Sequence, residues 1–154
     1  LHTNVAISSA LRLVDMGVGK YLVAASLRAI VAQRLVRKNC ERCVEPYEPS
    51  NQERLFLQRY GKDKDIPKLK HGTGCPHCFN TGYFGRVGVF ELLEITRPMT
   101  TALRDNDVTA FSRLALKDPS YKPLALSALE YALAGVTTIH EVIRVSAELE
   151  DDVE

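Results

Sequence analysis

All four cysteines of this chain fall in two Cys-x-x-Cys pairs, Cys40 with Cys43 and Cys75 with Cys78. Four thiolates presented by two tight turns are the donor set of a tetrahedral zinc ion, each sulfur about 2.3 Å from the metal. The pairs must then meet in space, so that the segment between them loops out as a unit closed by the metal. With sulfur in every coordination position no site is left for water, and such a centre is structural, not catalytic. Thiol redox work would instead call for one pair beside a βαβ unit. His71 and His77 are possible substitute ligands, read more simply as surface residues. Four thiolates around one divalent ion leave net negative charge, and Arg37, Lys38, Arg42 and Lys70 lie close enough in sequence to balance it.

The flanking patterns place the two knuckles. After Thr3 or Asn4, either a good N-cap, apolar residues Ile7, Ala10, Leu11 and Val14 recur at helical spacing, and Gly17 can take the left-handed position that ends a helix over 4–16. The run Tyr21 to Ala32 is apolar nearly all round and predicts a buried helix of about three turns. "QRLVRK" and "RVGVFELLE", rich in β-branched and aromatic residues, predict two strands that pair. Between them, 40–85 holds one helix candidate, "NQERLFLQRYG", and too little apolar surface to fold alone; metal binding worth on the order of 10 kcal/mol would offset that deficit. Beyond Glu94 helices are expected near Met99 to Leu103, Val108 to Lys117 and Leu124 to Ala134, the last ending at Gly135. "TIHE" predicts a capping box in which Thr138 caps a final helix and Glu141 reaches back.

Composition narrows the function. A net charge of +1 supplies no basic field for nucleic acid or an anionic membrane, though the tail "ELEDDVE" is acidic. The run Tyr21 to Ala32, broken by Ser26 and Arg28, is too short to span a bilayer. The start "LHTN" does not read as a secretory leader but as the end of a strand begun upstream, so the expectation is a fragment of an intracellular protein with reduced thiols. "VDMGVGKY" falls short of a phosphate loop, since GxxxxGK[ST] needs Gly at position 14 and Ser or Thr at 21, where Val and Tyr stand. A zinc-ribbon nucleic-acid-binding module is the runner-up reading; basic residues interleaved with acids and the lack of a stacking set beside the knuckles weigh against it.

"LHTN", "ALRLVDMGV", "AQRLVRKNC", the four cysteines, "TGYFGRVGVFELLE" and "AGVTTIHEVIRV" follow one another in an order that resembles the C-terminal part of the type II secretion and type IV pilus assembly ATPases. Within that family the wording is most similar to the members that extend mannose-sensitive haemagglutinin pili. The resemblance implies an α/β fold: the C-terminal portion of a RecA-like P-loop ATPase, with a tetracysteine zinc-binding insertion and a C-terminal helical bundle. It divides the chain into 1–39, the end of the RecA-like core; 40–85, the zinc subdomain; 86–95, the returning core strand; and 96–154, a helical subdomain with the acidic tail. It further implies a homo-hexameric motor, cytoplasmic and peripheral at the inner membrane, that uses ATP and Mg and acts on an inner-membrane platform protein, with no nucleic-acid partner. Cys40, Cys43, Cys75 and Cys78 match the family's zinc ligands. "LHT" matches the end of its histidine box, which gives His2, and less directly Thr3, a role at the nucleotide γ-phosphate. Arg34 and Arg86 match marked positions near the nucleotide-bearing sheet. The family's phosphate loop lies upstream of the part matched here, so this piece alone is expected to be inactive. "PLALSALEYA" departs from the family's "TLxxDG"-like stretch and leaves any role of that helix open.

Overall fold

A computed structural model describes residues 5–62, 64, 66 and 69–151. Helices α1 (Val5–Asp15) and α2 (Lys20–Ser26) lead into strand β1 (Ala29–Asn39). Strand β2 (Val44–Pro46), helix α3 (Asn51–Arg59), strand β3 (Lys70–Gly72) and a short 3₁₀ turn (Pro76–Cys78) follow before strand β4 (Tyr83–Glu94). Four helices close the chain: α4 (Arg97–Arg104), α5 (Val108–Lys117), α6 (Leu124–Leu133) and α7 (Ile139–Asp151). The molecule is α/β, with two small antiparallel sheets, β1 with β4 and β2 with β3.

The expected strand pair is present. β1 and β4 run antiparallel from Ala29 opposite Glu94 to Arg37 opposite Arg86, and the register then shifts so that Asn39 faces Tyr83. Side chains alternate across the ribbon. Ala32, Val36, Val89 and Leu93 are buried on one face, whereas Val31, Leu35, Phe90 and Leu92 on the other are 45–63% exposed. After Arg37 the register shifts, three steps along β4 matching two along β1, and Asn39 beyond the shift is buried.

The predicted three-turn helix over 21–32 is not what forms. Helix α2 stops at Ser26, Leu27 is extended, and Ala29 to Ala32 already belong to β1. A continuous apolar run does not distinguish helix from strand, and here Ile30 and Val31 are drawn into the ladder with Leu93 and Leu92. Nor is the helix central: Val23 and Ala24 are buried, but Tyr21 and Leu22 are 72% and 67% exposed. The helix expected over 4–16 is described from Val5, with Gly17 at φ 82 beyond its end; its expected caps Thr3 and Asn4 lie outside the described residues.

The four helices after β4 serve two cores. Met99, Leu103 and Phe111 of α4 and α5 pack with Ala6, Ala10 and Leu93, whereas Leu124 and Leu129 of α6 and Ile139 and Val142 of α7 pack with Val36, Val89, Leu57 and Leu69. Leu57 of α3 and Leu69 are 0% and 1% exposed, and each such burial contributes about 1.5–3 kcal/mol. The insertion therefore shares a core with α6 and α7 and does not depend on the metal alone. Its helix also has a cap: Ser50 Oγ accepts from the Glu53 N–H and Glu53 Oε2 from the Ser50 N–H, at 3.3 and 2.8 Å.

In the expected TIHE box only half forms. Thr138 Oγ1 accepts from the Glu141 N–H at 3.2 Å, but the Glu141 carboxylate turns to β1. It accepts from the Arg37 N–H at 2.9 Å, from Arg37 Nη2 at 2.7 Å and from Arg144 Nη2 at 3.0 Å. The side chain is fully buried. The free edge of β1 is thus capped by a helix. Burial opposes the charge on Glu141, but the bonds from Arg144 and Arg37 outweigh it and lower its pKa from 4.5 to about 2. A depressed carboxyl stabilises the fold above its unfolded pKa, and that contribution fades as pH falls through the folded value. Glu141→Gln is expected to cost about 2 kcal/mol at neutral pH, because both arginines stay solvated. Urea unfolding should show the gap between variant and parent shrinking between pH 4.5 and 2.

Candidate metal centre

The ribbon carries the four thiols to one point. Cys40 follows β1 directly and its N–H donates to the Gly82 carbonyl at 2.9 Å, closing the insertion at its base. Each knuckle is a tight turn: the Cys43 N–H donates to the Cys40 carbonyl at 3.2 Å, and the Cys78 and Asn80 N–H groups to the Cys75 carbonyl at 3.1 and 2.9 Å. Phe79 and Asn80 complete the second turn in the left-handed region, at φ 54 and 60. The knuckles are tied to each other by the Thr73 N–H, 3.0 Å from the Cys43 carbonyl.

The sulfurs lie at 3.8 Å (Cys40 to Cys75), 3.9 Å (Cys43 to Cys78) and 3.7 Å (Cys75 to Cys78), and all four lie within 4.8 Å of one another. Sulfurs about 2.3 Å from the centre of a regular tetrahedron are about 3.8 Å apart. The spacing fits one tetrahedrally bound ion, and these four cysteines could hold it. Backbone donors already point at sulfur: the Cys75 and Gly82 N–H groups lie 3.2 and 3.3 Å from Cys78 Sγ. Burial opposes charge on Cys78, but these donors and the neighbouring thiols bring it down to about 6. Burial pushes Cys43 up to about 11, helped by hydrogen bonds with the other three thiols. Four thiolates at this separation repel, and a divalent cation among them would offset that.

The two histidines stand apart from the cluster. His71 stacks on Tyr47, ring centres 4.6 Å apart, with Nε2 3.9 Å from Glu45. His77 packs on Phe84 at 4.2 Å. Two of the expected balancing cations are engaged elsewhere: Arg37 with Glu141 and over the Tyr83 ring at 4.1 Å, and Lys38 with Glu41 at 3.6 Å.

Arg34 and Arg86 are not brought together. Arg34 is half-buried on the inner face of β1, opposite Val89, with Nη1 3.1 Å from the Gln33 carbonyl; Arg86 is exposed on β4 opposite Arg37. His2 and Thr3 lie outside the described residues. Three residues beside the centre escaped sequence reasoning. Asn39 donates through Nδ2 to the carbonyls of Lys70, Gly135 and Thr137 at 3.0–3.2 Å, joining β1 to the insertion and to the α6–α7 turn. Gly72 and Gly82 lie against each other, so that a Cβ on either would strike the other's backbone. "HGTG" and "NTGYFG" advertised turns, but not that the two glycines meet.

Gly72→Ala should force the knuckles apart without removing any of the four cysteines. Chelator competition on the metal-loaded protein is expected to show affinity about 10–100-fold lower, as when supporting contacts around a metal are lost.

The family profile described as "Type II/IV secretion system protein" matches residues 1–144. The chain is 35% identical to the type II secretion system ATPase E of Vibrio cholerae, with 96% of this chain aligned to 29% of that protein. It is 37% identical to type II secretion system protein E of Pseudomonas aeruginosa, over 96% of this chain and 29% of that one. To the type IV pilus assembly ATPase TfpB of Acinetobacter baylyi it is 35% identical, over 94% of this chain and 25% of the other. The chain therefore spans less than a third of the length of these relatives.

Proposed function

The chain belongs to the type II/IV secretion system protein family, and we propose that it is the C-terminal part of a hexameric ATPase that powers protein secretion or pilus assembly. The observation that carries this is the match over nearly the whole chain to proteins named as ATPases of those two systems. In this reading ATP and Mg bind in the longer parent, and the work is delivered to a platform protein at the cytoplasmic side of the inner membrane. No helix among the described residues is long and apolar enough to cross a membrane, which fits a peripheral attachment.

The uncovered face of the β1–β4 ribbon fits a piece whose longer parent supplies a covering layer. Val31, Leu35, Phe90 and Leu92 form an exposed apolar stripe, and a two-stranded ribbon is marginal without further strands or packing. His2 is assigned to the γ-phosphate, and Arg34 and Arg86 to the nucleotide or a neighbouring subunit. These three carry over from the family resemblance of their sequence positions.

Zinc is the metal assigned to the four cysteines, since an all-sulfur tetrahedron suits it and leaves no open position for catalysis. Its task is to close the insertion, whose outer surface is then available for docking.

Two outcomes are expected. Freshly reduced protein should contain about one zinc per chain, and chelation or Cys75→Ser should expose the backbone amides of both knuckles to hydrogen exchange while those of α3, anchored by Leu57, stay protected. Absence of metal in reduced protein would overturn the zinc assignment. This chain contains no GxxxxGK[ST] loop, so it should show no ATP turnover above background, whereas the full-length parent should turn ATP over; turnover that stays with the piece through several columns would contradict the reading.

A further inference from the structure

Thiols placed to share a metal can also bond to each other, and the two arrangements exclude one another. A disulfide bond is about 2.0 Å long, whereas sulfurs around one tetrahedral ion stay about 3.8 Å apart. The sulfur contacts are Cys40 to Cys75, Cys43 to Cys78 and Cys75 to Cys78, and of these only the last, at 3.7 Å, lies within one knuckle. Closing it needs movement only inside the turn Pro76–Cys78. Closing either of the others would drag one knuckle across the other, against the backbone bonds from Cys40 to Gly82 and from Thr73 to Cys43.

The two thiols of this pair are unlike. Cys75 is half-buried, whereas Cys78 is 1% exposed, so a small oxidant meets Cys75 first. Cys43 is also half-buried, but its sulfur contact is with the other knuckle. Behind Cys75, Cys78 Sγ accepts from the Cys75 and Gly82 N–H groups at 3.2 and 3.3 Å. Those donors favour negative charge on Cys78, which makes it the sulfur that leaves when a thiol reductant attacks Cys75.

We propose that Cys75 and Cys78 are a reversible oxidation site for peroxides, in which their disulfide and the metal-bound form are alternative states of one centre. With hydrogen peroxide, the Cys75 thiolate attacks a peroxide oxygen; an S–O bond forms, the O–O bond breaks, and the departing hydroxide takes a proton and leaves as water. The Cys78 thiolate then attacks that sulfur; an S–S bond forms, the S–O bond breaks, and a second hydroxide is protonated and leaves as water. The two thiolates lose two electrons and the peroxide gains them. Cys40 and Cys43 alone do not hold a tetrahedral ion, so zinc departs. This rests on the reading of the four cysteines as zinc ligands. Opening the base does not unfold the insertion, because Leu57 and Leu69 stay seated against α6 and α7. That second anchor keeps the knuckles close enough to be reduced and reloaded.

The test uses the freshly reduced, zinc-loaded chain and hydrogen peroxide, with zinc release read by a chromogenic chelator. These four are the chain's only thiols, so thiols lost and zinc released compare directly. One zinc is expected for each disulfide formed, and peptide mapping should find Cys75 joined to Cys78 and the peptide lighter by two hydrogens. Hydrogen exchange should quicken at both knuckles and stay slow in α3. A dithiol with added zinc should restore both metal and protection. Zinc retained until the thiols pass to sulfinic acid, a disulfide that joins other cysteines or two chains, or loss of protection in α3 along with the knuckles would overturn the proposal. If the reduced chain holds no zinc before peroxide is added, the zinc reading fails and this inference with it; a zinc-loaded chain that keeps its metal under peroxide refutes this inference alone.

Discussion

Strands β1 and β4 lie side by side in one antiparallel ladder, and nearly everything else is referred to its register. A slip of one residue would bring Val31, Leu35 and Phe90 inward in place of Ala32, Val36 and Val89. It would also take Glu91 from beneath the two helix starts it holds, and it would part Cys40 from Gly82. The register shift after Arg37 matters for the same reason. Beyond it Asn39 is buried and gives the carbonyls of Lys70, Gly135 and Thr137 a common partner.

Around this ribbon the polar joints are few and buried. Glu141 ties α7 to the free edge of β1, Asn39 ties the end of β1 to the insertion, and Glu91 ties α1 and α6 to β4. Each replaces a backbone partner that an edge strand or a helix terminus would otherwise seek in water. Packing alone would allow the helices to slide along a ribbon of small and branched side chains. Directional bonds to single acceptors do not allow it.

What the sequence revealed follows from the range of the interactions involved. The four cysteines, the paired strands, α3, α5 and the glycine stops were legible, because spacing and local propensity determine them within a few residues. The boundary near Leu27 was not, since the choice between helix and strand for "LRAIVA" is made by β4, over fifty residues away in the chain. "SNQE" and "TIHE" carry the same capping-box pattern, yet only the first closes as one, because the glutamate of the second is claimed by Arg37. Glu91 looked like an ordinary residue on a strand face. Its role depends on amides at positions 6 and 124, which no window of sequence brings together.

The insertion is secured in two ways that act at different places. A metal among the four sulfurs would close its base, where Gly72 and Gly82 let the backbones touch. Leu57 and Leu69 seat its far part in the core formed by α6 and α7. Either one alone would leave a hinge: the metal without the leucines would let α3 swing about the knuckles, and the leucines without the metal would let the knuckles open beneath a seated α3. With both, the segment is fixed at two ends to the same ribbon through β1 and α7. Phe79, 84% accessible at the tip of the second knuckle, is thereby joined through Cys78 and Gly82 to β4, and Tyr83 and Arg37 join that end of the ribbon to Glu141 of α7.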